Sequence, residues 1–242
     1  NSKGPHPALI YLHPEGKTAH SAKGQEMEWF VKKGYIVLAP DLIGLGEMGD
    51  EDLNSSDICD FHTPYHIWST PALIGRSLPG VWAGDIQRLV NYLKSREDVV
   101  KDKLSAIAWK GLCPALIHSA AFNSDIQRIA LIESLISYKS TVLNKYYEPR
   151  HFLASGVPGS LTEYDITDLE ASIAPRNLIL VNLVDELGNF LDVDDARQRL
   201  TIVNRSYKRS NRLNKFEILS WPYYRNYERE LYDIERIFSS WL

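Results

Sequence analysis

The sequence predicts a doubly wound α/β domain, a mostly parallel sheet flanked by helices. Two observations carry this. Six short apolar runs, such as Ala8-Leu9-Ile10-Tyr11-Leu12 and Leu178-Ile179-Leu180-Val181, are continuous rather than alternating, as expected of strands buried on both faces. Segments with helical spacing of apolar residues stand between them, and alternation of strand with helix implies a parallel sheet.

The elements follow in order. The first run, 8–12, ends at His13-Pro14. Residues 23–33 place Met27, Phe30 and Val31 at helical spacing, and Gly34 follows as a stop. Tyr35-Ile36-Val37-Leu38-Ala39 is the second strand, closed by Pro40-Asp41. A long helix is expected over 82–93, with Val81, Ile86, Leu89, Val90 and Leu93 on one face. The third strand is 104–109, followed by a small-residue helix from Pro114 to Phe122. The fourth strand is 129–132. The fifth is 177–182, with a helix over about 193–204 after it. The sixth is 216–219, followed by a helix to Leu242. Ligands of such sheets sit at the carboxyl ends of the strands, so the loops after 12, 39, 109, 132, 182 and 220 are the ones to inspect.

The 242 residues suit a single domain, here taken as 1–242, with long insertions at about 42–80 and 139–170. Hydrophobic residues make up 44% and charged residues 24%, which excludes disorder and coiled coil for the chain as a whole. With 27 basic against 31 acidic side chains, the net charge of −4 gives no reason to expect a nucleic-acid partner. No apolar run approaches the ~18–20 residues of a membrane-spanning helix. Two cysteines, Cys59 and Cys113, exclude a disulfide scaffold and a four-cysteine zinc site. No residue set calls for a cofactor. No secretory leader is visible, and Asn1 is not an initiator Met, so a removed leader or upstream domain is an open expectation.

The order of pieces resembles the α/β-hydrolase fold. His13-Pro14-Glu15-Gly16 sits where that superfamily has its His-Gly loop, a source of oxyanion-hole amides, and Gly34 to Asp41 with Gly44-Leu45-Gly46-Glu47 resembles its next strand and turn. Leu73 to Gly80 with Asp85, Ser137 to Ser140, Pro158 to Leu161, Asp165 to Leu169 and Ala174-Pro175-Arg176-Asn177-Leu178 are similar to the acetyl-xylan-esterase-like, carbohydrate-esterase branch. The resemblance covers nearly the whole chain from about Pro7. It implies ester hydrolysis, a carbohydrate or small anionic ligand, and a secreted or periplasmic setting. The family's usual N-terminal antiparallel strands are lacking, which points to a truncated chain or a compact variant.

The same resemblance exposes a degenerate catalytic triad. The nucleophile of this fold sits at the centre of G-x-S-x-G, on the sharp turn between strand and helix. The corresponding segment is Ala108-Trp109-Lys110-Gly111-Leu112-Cys113-Pro114. A strand ending at Trp109 and a helix running through His118 both place Lys110 at the nucleophile position. A lysine cannot form an acyl ester, so ordinary serine-esterase activity is expected to be absent. Cys113 is a poor substitute: it lies three residues past the elbow, and Pro114 after it has no N–H for an oxyanion hole. The family's acid position falls on Asp185, which equally reads as a turn residue. Its histidine belongs in the loop after the last strand, which reads Ser220-Trp221-Pro222-Tyr223-Tyr224-Arg225-Asn226, and no His follows His151.

Other residues leave alternatives open. Lys110 reads as an anion hook, as a base or imine former, or as a relic paired with Asp185 or Glu186. His62 and His66 with Asp57 and Asp60 form a metal-like cluster, but Pro64 between the histidines argues against helical ligand spacing, and the expectation is no metal. His13 reads as a shaper of its turn. Trp109, Trp221, Tyr223 and Tyr224 gather at the expected mouth and suit sugar stacking or simple core filling. The basic run from Arg205 to Lys215 reads as a solvated face. The pocket candidates are therefore His13, Trp109, Lys110, Gly111, Glu186, Trp221 and Tyr223. The functional readings are an esterase-like protein without serine-esterase activity, an active hydrolase with relocated residues (His13, His62, His66, Lys110 or Asp185), or a non-catalytic binding or interaction domain.

Overall fold

The computed structural model describes residues 4–49, 65–149, 155–221, 234–239 and 241–242, with the side chains of Tyr65 and His66 excepted. Its strands are β1 (His6–Leu12), β2 (Ile36–Leu38), β3 (Val99–Trp109), β4 (Ile126–Ile132), β5 (Asn177–Val181) and β6 (Phe216–Leu219). They form one sheet in the order β2-β1-β3-β4-β5-β6, and every pairing is parallel. The chain runs outward from β1 to β2, then returns to place β3 on the other side of β1. The switch point of the sheet therefore lies between β1 and β3, where doubly wound folds bind ligands.

The helices are α1 (Glu26–Lys32), α2 (Tyr65–Leu73), α3 (Leu78–Ser95), α4 (Cys113–Phe122), α5 (Tyr138–Leu143), α6 (Ile166–Ser172), α7 (Val193–Arg199) and α8 (Thr201–Arg209), with a further helical stretch at 234–238. Side chains alternate between the two faces of each strand. Ala8, Ile10 and Leu12 of β1, with Ala106, Ala108, Leu131, Leu178 and Leu180, join Trp82, Ile86 and Val90 of α3 and Leu116 of α4 in the larger core. Leu9, Tyr11, Ile107, Trp109, Ile132 and Val181 face the other way, onto Met27, Trp29 and Phe30 of α1 and Ile234, Phe238 and Trp241. Both faces are covered, which is why the strand sequences are continuously apolar.

Several boundaries move. The third strand starts at Val99, not 104, and its exposed opening Lys101-Asp102-Lys103 hides it from an apolar scan. The long helix starts at Leu78 because Ser77 caps it, accepting a hydrogen bond from Gly80 N at 3.1 Å. The helix expected over 193–204 breaks at Leu200 into two. The stretches 42–80 and 139–170 are not wholly irregular: α2, the start of α3, most of α5 and the start of α6 lie in them. α2 contains Pro71 and lacks an apolar stripe, so periodicity could not find it. Tyr223, Tyr224 and His62 lie outside the described residues.

Asp165 ties two of these segments together. Its carboxylate caps α6 and accepts from the Ser137 hydroxyl, from Tyr138 N at 2.7 Å and from Ile166 N at 2.7 Å, so one side chain holds the starts of both α5 and α6. Asp165→Ala should lower stability by about 1–2 kcal/mol, the usual range for losing a cap, measured by urea unfolding.

Candidate functional site

Neighbouring strands present their first loop residues side by side at the carboxyl edge. Leu12 is level with Ala108, Trp109 with Ile132, and Ile132 with Val181. The next residues in the chain are His13, Lys110, Glu133 and Asn182. Three of them leave their strands in the left-handed region: Lys110 at φ 50°, Glu133 at φ 55° and Asn182 at φ 50°. Such backbone costs about 1–3 kcal/mol per residue and persists only where the surroundings enforce it.

Lys110 directly follows β3 and opens a single 3₁₀ turn, Lys110–Leu112, that leads into α4. This is the geometry of an elbow, and the residue on it is lysine. Its Nζ lies 3.9 Å from Glu133 Oε2; the Glu133 side chain is buried, while that of Lys110 is 37% exposed. The acid beside Lys110 is thus Glu133, not Asp185 or Glu186. Gly111, the next residue, is buried.

Asp185 is occupied by its own loop. Its Oδ1 accepts from Leu187 N at 2.9 Å and Asn189 N at 2.8 Å, and Oδ2 from Asn189 Nδ2 at 3.2 Å. Glu186 accepts from Asn144 Nδ2 at 2.6 Å, joining the loops after β4 and β5. Cys113 is fully buried beneath the elbow, its thiol directed at the Ala108 carbonyl at 3.2 Å, and burial pushes its ionisation far up. A thiol held neutral in this way is a packing group. His118 is likewise held at both ring nitrogens, by the Pro114 carbonyl at 2.6 Å and the Tyr164 hydroxyl at 2.9 Å. Among the described residues no group of three or more His, Cys, Asp or Glu side chains is arranged to hold a metal; His66 falls on α2, with its side chain outside the description.

His13 is buried, and its Nδ1 accepts from Glu15 N at 3.2 Å. Burial, then the nearby charges of His20 and Lys110, push its pKa down to about 3, so it is neutral at physiological pH. Its loop is pinned from β2: Asp41 accepts from Lys17 N at 2.6 Å and from Glu47 N at 3.2 Å. Gly16 and Gly46 both pack on that carboxylate with positive φ, where a Cβ would collide with it. The His-Gly loop and the Gly-x-Gly turn are therefore one construction around Asp41.

An aromatic and titratable cluster, missed by the sequence reading, adjoins His13. The His20 ring lies edge-on to His13 at 4.7 Å and to Trp109 at 5.0 Å between centroids. Trp109 Nε1 donates to Tyr11 Oη at 2.9 Å. Tyr11 donates to the buried Glu26 in a very short contact and lies 2.6 Å from His20 Nδ1. Trp221 closes on Trp109 at 6.0 Å, and Asn182 fixes its backbone at both ends: Trp221 N donates to Asn182 Oδ1 at 2.6 Å, and Asn182 Nδ2 donates to the Trp221 carbonyl at 3.0 Å. Glu133 and Asn182 were discoverable as the first residues after the fourth strand and at the end of the fifth. His20 and Glu26 carry no spacing signal.

Comparison with solved structures decides the fold. A candidate acetyl xylan esterase from Bacteroides fragilis NCTC 9343 superposes with a TM-score of 0.68 at 17% identity, over 91% of this chain and 60% of that one. This chain has the α/β-hydrolase fold. A glucuronoyl esterase from Solibacter usitatus is a further neighbour of the hydrolase fold, with a TM-score of 0.57 and 16% identity over 99% of this chain and 75% of that one. In sequence, the candidate hydrolase YtaP of Bacillus subtilis strain 168 is 23% identical over 215 residues, 84% of this chain and 68% of YtaP. No family profile matches. The chain thus spans about three fifths of the Bacteroides protein. The sheet bears out the doubly wound, mostly parallel class expected from the sequence and is wholly parallel among the described residues.

Proposed function

We propose that this hydrolase-fold chain binds a carbohydrate or small anionic ligand at its elbow and does not run serine-esterase chemistry. One observation carries the reading: the elbow residue is Lys110, in left-handed backbone, with its ammonium 3.9 Å from Glu133. An ammonium forms no acyl-ester intermediate, and the buried Cys113 thiol stays protonated, so neither residue replaces the missing hydroxyl. The Lys110–Glu133 pair instead offers a charged donor and an acceptor at the carboxyl ends of β3 and β4, next to the switch point of the sheet. Trp221, half-buried beside Trp109, adds an aromatic surface of the kind that sugars stack on. The names of the neighbours, acetyl xylan esterase and glucuronoyl esterase, suggest acylated or acidic sugars as the class to try first.

The test combines trapping with binding. Intact mass after incubation with a fluorophosphonate and with 4-nitrophenyl acetate should show no covalent adduct, and product release should show no burst. Calorimetry with glucuronate and acetylated xylan oligosaccharides should show binding that Lys110→Ala weakens about tenfold or more, the range for losing a charged hydrogen bond. An acyl adduct on the protein, or binding indifferent to Lys110→Ala, overturns the reading.

A further inference from the structure

We propose that α2, α5 and the segment 156–162 enclose a second binding site, a groove for an amphiphilic anion: an apolar chain or ring that ends in a carboxylate. Neither His13, Lys110 nor Glu133 lines it, so the site goes beyond the reading of the elbow and stands apart from it.

Two adjoining cavities make the groove. The first, about 440 Å³, is walled by Trp68 of α2, by Tyr138 and Val142 of α5, and by Val157, Pro158 and Leu161. The second, about 570 Å³, is walled by Gly75, Arg76, Ser77 and Gly80, and it shares Val157 and Pro158 with the first. Each lies in the ~300–1,000 Å³ range of small-molecule sites.

The two ends differ in chemistry. The first cavity has mostly apolar walls and no charged side chain among the described residues. In the second, Arg76 is the one charged residue described, and no acidic residue lines either cavity. The Arg76 guanidinium has no ion pair or side-chain hydrogen bond among the described residues. A fork of donors therefore stands at one end of an apolar trough, and a planar carboxylate matches that fork.

The backbone around the groove is fixed. Gly75 turns the chain after α2 at φ 70°, and Arg76 N donates to the Pro71 carbonyl at 2.8 Å, which sets the arginine at the cavity wall. On α5, the Tyr138 hydroxyl donates to the Ser155 carbonyl at 2.6 Å. Ser160 N donates to the Val157 carbonyl at 3.1 Å, and Thr162 Oγ1 to the Gly159 carbonyl at 2.7 Å, so Leu161 sits on a closed turn. The apolar lining nevertheless meets water. Val142 is 61% exposed and Leu161 41%, and Leu73 and Ile74, just before the Gly75 turn, are 85% and 70% exposed. Large apolar side chains gathered at a cavity mouth mark a binding surface, whereas scattered ones mark nothing.

The probe is decanoate, with decanol as its uncharged counterpart. Both are read on the full chain by displacement of anilinonaphthalene sulfonate and by calorimetry. Decanoate should bind about fivefold tighter than decanol, the gain of an exposed ion pair. Arg76→Gln should remove that preference and leave decanol binding unchanged. Val142→Glu, at a position already exposed in the fold, should weaken both ligands about tenfold or more, because it sets a charge against the apolar chain. No binding of decanoate, equal affinity for decanoate and decanol in the parent, or binding indifferent to either substitution overturns the proposal. Loss of decanoate binding in Lys110→Ala would put the ligand at the elbow, and a dimer that Val142→Glu dissolves would give the groove to a second copy; each overturns it as well. Failure of glucuronate to bind sinks the elbow reading alone, since no expected result with decanoate depends on it.

Discussion

Replacing Arg176 by Met should lower the unfolding free energy by about 3–4 kcal/mol, the largest single-residue loss expected outside the apolar core. Arg176 lies just before β5, and its guanidinium is spread over backbone carbonyls: Ala120 at 2.7 Å, Ile126 at 2.9 Å and Asn123 at 3.0 Å. The first belongs to the last turn of α4, Asn123 to the connection that follows, and Ile126 is the first residue of β4. One planar cation therefore satisfies the end of the helix that begins at the elbow and fixes the start of the next strand. Each hydrogen bond to a charged donor contributes roughly 1.5–3 kcal/mol, and the three are not additive because they share one side chain. Arg176→Lys should recover less than half of the loss, since an ammonium cannot span acceptors set out for a fork. Urea midpoints at a constant m-value would measure both. If Arg176→Met unfolds within about 1 kcal/mol of the parent, the clamp contributes little and α4 is held by burial alone.

The fold was legible because burial writes itself into composition. Leu9 and Ile10, or Leu178 and Ile179, must both be apolar when each strand is sandwiched, and this produces the continuous runs. The elbow was legible because it lies between two such signals, a strand ending at Trp109 and a helix through His118, so counting from either side reaches Lys110. The partner of Lys110 was not. Lys110 and Glu133 are 23 positions apart in the chain, and only the adjacency of β3 and β4 brings them together. Sequence order favours Asp185 because a resemblance transfers positions, whereas the carboxylate there is used up by its own turn. His20 and Glu26 were opaque for a related reason. They face one another across the turn into α1, and what pairs them is the Tyr11 hydroxyl, on a strand where tyrosine reads as one more apolar residue.

Glu170→Met should stabilise the protein by up to about 3 kcal/mol at alkaline pH and by much less near pH 4. Glu170 lies on α6 and is fully buried, and neither carboxyl oxygen has a hydrogen-bond partner among the described residues. Burial, reinforced by the charge of Asp165, raises its pKa well above that of a free carboxyl. It also acts electrostatically on Cys113 and Tyr207, which are themselves pushed up by burial. The folded state thus holds the Glu170 proton more tightly than the unfolded chain does. Its contribution to stability is fully present below the unfolded carboxyl pKa and is lost as pH rises toward the folded value. The parent should therefore lose stability from about pH 5 upward, and Glu170→Met should remove that slope while keeping nearly the same volume. Thermal unfolding from pH 4 to pH 9 would read the difference, about 2–4 °C per kcal/mol for a domain of this size. Parallel curves for the two proteins would mean that Glu170 finds a partner in solution and that the α4–α6–α8 layer is wetter than its apolar neighbours imply.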